Sequence, residues 1–111
     1  MAPKYSPEAL ADLAAIWAYF AAERSETVAT RILQDIRAKI ARLEKFPTLG
    51  RERPDLGEAV RSLTVAGHDY VVYYVLAGHP KHAQIARVLH GGRDVRIALG
   101  GDLDTVSDER I

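Results

Sequence analysis

VRSLTVAGHDYVVYYVLAGHPKHAQIARVLH, residues 60 to 90, is where the chain changes texture. Its apolar residues are mostly β-branched or aromatic and come in three short runs, Val60 to Val65, Tyr70 to Leu76 and Gln84 to His90. The separators, AGHD at 66–69 and AGHPKHA at 77–83, are short and rich in turn formers, so the three runs predict an antiparallel meander. Tyr73 and Tyr74 are adjacent, so on a strand they point to opposite faces, and at least one is expected in the core.

Working back from this meander, the period changes. Ser6-Pro7-Glu8 supplies a capping hydroxyl, a proline already at the helical φ and an acid suited to the positive end of a helix. Leu10, Leu13, Ile16, Trp17 and Phe20 then recur at spacings of three and four, predicting a helix with one broad apolar stripe and Trp17 as an anchor of its packing. Ser25 opens a second helix, whose stripe is Val28, Ile32, Leu33, Ile36, Ile40 and Leu43 and which stops before Pro47. Only a few residues near Arg24 separate the two, so they are expected to fold back as an antiparallel hairpin. PTLGRERPDLGE, 47–58, has two prolines, two glycines and no period, and is expected to be a connecting loop.

Forward of the meander, Asp94 is placed to cap a short helix over 95–99, which Gly100-Gly101 would end. The expected fold is therefore α+β: an N-terminal two-helix hairpin packed on one face of a three- to four-stranded antiparallel sheet, with the other face partly open and a short C-terminal helix. The fourth strand would be Met1 to Tyr5 at an edge. Residues 1–99 form the domain and 100–111 a tail.

Composition narrows the function. The 111 residues suit a single domain, and the absence of cysteine excludes disulfides and thiolate metal sites. No apolar run is long enough for a membrane span and Met1 to Tyr5 is no signal sequence, so a cytoplasmic protein is expected. Residues 1–99 carry 14 basic and 11 acidic side chains, and 100–111 carry one basic and four acidic. A mildly basic body with an acidic tail argues against sequence-specific nucleic-acid binding, which needs several phosphates neutralised at once.

Most catalytic patterns fail on spacing. His68, His79 and His82 fall in predicted turns with no converging carboxylates, so no metal is expected and they read as solvated turn residues. Ser6, Ser25, Ser62 and Ser107 lack the glycine-flanked elbow of a serine hydrolase, and Gly91-Gly92 lacks the spacing and the lysine of a phosphate-binding loop, so no cofactor is expected either. Metal-free RNA cleavage keeps its ingredients: His90 as acid or base, Arg61, Arg87 and Arg93 as cations, and Tyr73 among the tyrosines as a proton donor. Arg87 is balanced between the open sheet face and pairing with an acid such as Asp69.

SPEALADLAAIW (6–17), FPTLGR (46–51), Arg61, YVVYYV (70–75) and IARVLHGGRD (85–94) follow one another in an order that resembles the ParE branch of the RelE/ParE superfamily of bacterial toxins. That resemblance implies a helical hairpin on a small antiparallel sheet, a ParD-like antitoxin that wraps the toxin, and DNA gyrase as the poisoned target, with the toxin acting by binding. RelE-type relatives instead cleave mRNA on the ribosome with a proton-transfer group near the C-terminus, where this chain has Val95, Ile97 and Leu99. On this reading His90, Arg93, Arg87 and Arg61 are expected to contact the target. The antitoxin, forming a hetero-oligomer with the toxin, is expected to rest on Trp17, Phe20, Tyr70 and Tyr73.

Overall fold

The computed structural model describes residues 1–91. Its elements are β1 (Lys4–Tyr5), α1 (Pro7–Glu23), α2 (Glu26–Ala41) with a 3-10 turn at Arg42–Glu44, β2 (Arg51–Glu52), β3 (Val60–Thr64), β4 (Tyr70–Ala77) and β5 (His82–His90). The expected helix over 95–99, the tail 100–111 and Arg93 lie outside the described residues.

Both helices begin where the capping chemistry places them. The Ser6 hydroxyl accepts from the Ala9 amide at 2.9 Å and the Ser25 hydroxyl from the Val28 amide at 3.1 Å, each satisfying an N–H that the first turn leaves free. Ser6 also ties the helix to the sheet, because its amide donates to the Ile85 carbonyl at 2.9 Å and its hydroxyl to the Ala86 carbonyl at 2.9 Å. These bonds set the rotational phase of α1. Ala9, Leu13 and Ile16 face inward, and Leu10, one residue round the helix, is 48% exposed instead of joining the stripe. On α2 the inward positions are Ala29, Ile32, Ile36 and Ile40.

The sheet has five strands in the order β1-β5-β4-β3-β2. It is mixed and not wholly antiparallel, since β1 runs parallel to β5 while the other neighbours are antiparallel. Two expectations are corrected here. The stretch 47–58 is more than a connection: Arg51 and Glu52 pair with Ser62 and Arg61 as an edge strand, and Leu56 is buried. The β4–β5 turn is also shorter than expected, with Ala77 opposite His82 and Leu76 opposite Ala83. His82 is therefore a buried strand residue, 7% exposed, and not a solvated turn residue.

One irregularity decides which side chains share a face. Tyr73 pairs with Arg87 but Tyr74 pairs with Ile85, so one extra residue, Ala86, is accommodated in β5 as a bulge. The inward set consequently steps from Ala83 and Ile85 to Val88, which join Tyr74, Val72, Leu63 and the helix stripes in the main core. Leu89 goes to the other face, where it forms a second cluster with Tyr73 and Leu56. That face is not left bare, because Leu56 folds back from the β2–β3 connection to cover it.

Candidate functional site

α1 ends and α2 begins beside the β3–β4 turn, and the space between them is a groove of about 760 Å³. Phe20, Tyr70 and His90 form its aromatic wall: Phe20 meets Tyr70 edge-on with ring centroids 6.4 Å apart, and Tyr70 meets His90 edge-on at 5.6 Å. Tyr19, 58% exposed, extends this wall along α1 with its ring 5.0 Å from Phe20. Burial, reinforced by Tyr19 and Asp69, raises the Tyr70 hydroxyl above its ordinary pKa, so it stays a neutral donor at the groove wall. Arg24 and Arg31 stand on the helix side and have no ion-pair partner among the described residues. On the turn side His68 is held to Asp35 of α2 at 3.0 Å, which closes the groove end.

Two of the cations proposed for RNA cleavage, Arg61 and Arg87, are occupied elsewhere. Arg61 donates to the Gly50 carbonyl at 2.8 Å and the Thr48 carbonyl at 3.3 Å, fixing the loop before β2. Arg87 pairs with Asp12 of α1, not with Asp69, through two hydrogen bonds of 2.8 and 2.9 Å. The same carboxylate accepts the Val88 amide at 2.9 Å. β1 stops opposite Ile85, so beyond it the edge of β5 needs a partner, and Asp12 supplies one. Tyr73 lies on the opposite face from the groove, 5% exposed, with the Arg53 guanidinium 6.0 Å from its ring centre.

The structure thus gathers Phe20, Tyr70 and His90, and separates them from Arg61, Arg87 and Tyr73. Trp17 sits in the seam between the helices, its indole N–H donating to the Thr30 hydroxyl at 3.3 Å. Tyr19 and Asp12 are the residues that sequence reasoning missed. Tyr19 is flagged by its position off the inward stripe next to Phe20, whereas nothing local marks Asp12. Among the described residues no three His, Asp or Glu side chains come together as a metal site, and no helix is long and apolar enough to cross a membrane.

Residues 4–95 match the family described as ParE toxin of type II toxin-antitoxin system, parDE. The chain belongs to the ParE toxin family. A comparison with curated protein sequences finds no match. Among solved structures, a chain of the chromosomal ParDE TA system from P. aeruginosa is similar with a TM-score of 0.71 and 28% identity, over 81% of this chain and 95% of that one. As a ParE toxin of a type II system, the protein has an antitoxin as its partner.

Proposed function

We propose that this ParE toxin is a stoichiometric inhibitor that acts in the cytoplasm by binding DNA gyrase, and that a ParD-like antitoxin seats an apolar segment in the groove of Phe20, Tyr70 and His90. The observation that favours binding over the ribonuclease assembled from His90, Arg61, Arg87 and Tyr73 is that these groups do not share one site. A metal-free ribonuclease needs cations and a proton donor around one phosphate. Here Arg61 is committed to loop carbonyls, Arg87 to Asp12, and Tyr73 to the far face of the sheet. The groove has the complementary character: an aromatic wall with cations at its margin suits apolar side chains flanked by carboxylates.

Inducing the toxin without its antitoxin separates the readings. Loss of supercoiling and DNA breakage with intact message is the expected result. Cleavage of translated mRNA with normal supercoiling would overturn it in favour of the RelE-type activity. For the groove, Phe20→Ala and Tyr70→Ala are each expected to weaken antitoxin binding at least about tenfold, as truncation of an aromatic anchor does. Unchanged affinity in both would place the antitoxin elsewhere.

A further inference from the structure

The loop between α2 and β2 combines two properties. Its side chains are exposed, with Phe46 at 54% and Leu49 at 38%, yet its backbone is held from below. The Tyr74 hydroxyl donates to the Pro47 carbonyl at 2.8 Å and accepts from the Gly50 amide at 2.8 Å. Arg61 holds the carbonyls of Thr48 and Gly50, and the Leu49 amide closes a turn on the Phe46 carbonyl at 3.0 Å. Gly50 is pressed so close that a Cβ there would stand 2.7 Å from the Tyr74 ring, leaving the loop no room to shift inward. A core tyrosine and a half-buried arginine are spent on fixing a loop whose large apolar groups face water.

Charge indicates what such a loop receives. Lys45 and Arg51 flank Phe46 and Leu49, and neither has an ion-pair partner among the described residues, while of the adjoining acids Glu52 stands 3.9 Å from Arg61 and Glu44 precedes Lys45 on the 3-10 turn. Leu49 and Arg51 border a depression of about 580 Å³ that continues over Ser62, Thr64 and Tyr73. It shares no lining residue with the aromatic groove. Apolar anchors on a fixed backbone lose little conformational freedom on binding, and unmatched cations beside them favour a partner bearing carboxylates.

We infer that the Phe46–Arg51 loop is the surface with which the toxin grips the protein it poisons, by taking an acidic segment that also carries apolar side chains. This rests on the reading above that the toxin acts by binding a protein. It places the target contact apart from the antitoxin groove, so the two functions separate by mutation.

The test uses the full chain with Phe46→Ser or Arg51→Glu, both outward-facing changes whose retained fold is checked by melting. Purified DNA gyrase, a ParD-like antitoxin that binds the wild-type toxin and an RNA oligomer are the probes. Each variant is expected to need at least about tenfold more toxin for half-inhibition of supercoiling, while antitoxin affinity stays within about threefold. Inhibition by the wild type is expected to weaken as salt rises from about 0.05 to 0.3 M, because exposed charges are screened. Should the wild type leave gyrase untouched, growth arrest becomes the readout: recovery of growth with both variants at equal protein level supports the loop while the gyrase assignment falls. Variants as toxic as the wild type, loss of antitoxin binding in step with toxicity, an RNA cleavage that Arg51→Glu abolishes, or a wild type that arrests nothing would each overturn the inference.

Discussion

Replacing Asp12 with alanine removes three hydrogen bonds at once, two from the Arg87 guanidinium and one from the Val88 amide. The site is partly shielded, the Asp12 side chain being 12% exposed and that of Arg87 24%. Hydrogen bonds to charged groups contribute about 1.5–3 kcal/mol each, and an edge amide left without an acceptor costs a further 1–3 kcal/mol or so. Because Arg87 can turn toward water, the full sum is not reached, and about 3 kcal/mol is the expected loss. For a domain of this size that lowers Tm by roughly 12 °C. Asp12→Asn keeps an oxygen for the Val88 amide but loses the charge, so about half the effect is expected. Thermal melting and urea titration of Asp12→Ala, Arg87→Ala and the double variant measure the pair directly, with a coupling of about 1–2 kcal/mol expected. A Tm within about 2 °C of wild type for Asp12→Ala, or additive single effects, would refute the conclusion that this contact stabilises the packing of α1 on the sheet.

Tyr74→Phe is expected to cost about 1–3 kcal/mol by leaving the Gly50 amide without its acceptor, and to raise hydrogen exchange at Gly50 as the loop loosens; slow exchange there would show that another group holds it. Burial raises the Tyr74 hydroxyl above its ordinary 10.0, against the opposing pull of the Gly50 amide and Arg61. In the window above pH 10 the unfolded chain has lost this proton while the folded one keeps it, so stability falls as pH rises, by no more than about 1.4 kcal/mol per pH unit from this group. A shallower alkaline decline in Tyr74→Phe, followed by urea titration between about pH 9 and 11, is the expected signature. Ser6→Ala is expected to destabilise by about 1–2 kcal/mol and Ser25→Ala by about 0.5–1 kcal/mol, because Ser6 also donates to Ala86 across the domain; equal losses would mean that the second bond contributes nothing.

Residues 46–51 show how far a local signal reaches. Pro47 and Gly50 announce a break after the helix, and the break is there. That the loop is fixed from beneath depends on Tyr74, 27 residues beyond Pro47 in the chain, and on the side of the sheet toward which its ring points. The aromatic groove has the same origin. Phe20, Tyr70 and His90 each stand out as candidates by residue type, but their meeting needs α1 to pack across the C-terminal end of β5 and the N-terminal end of β4.

Helix starts, the apolar stripes, the three long strands and the α+β order were legible because each rests on chemistry within one turn or one strand: a capping hydroxyl, a period of three to four, a run of β-branched residues. Leu10, His82, Tyr73 and Arg87 were not legible, because their surroundings are set by partners far along the chain. The docking of Ser6 on β5 turned Leu10 outward, the tighter turn drew His82 into a strand, and Leu56 covered Tyr73. Asp12 is the plainest case. Its carboxylate is one of 15 acidic groups in the sequence, and only the place where β1 stops, leaving the Val88 amide without a strand partner, makes it the one that Arg87 joins.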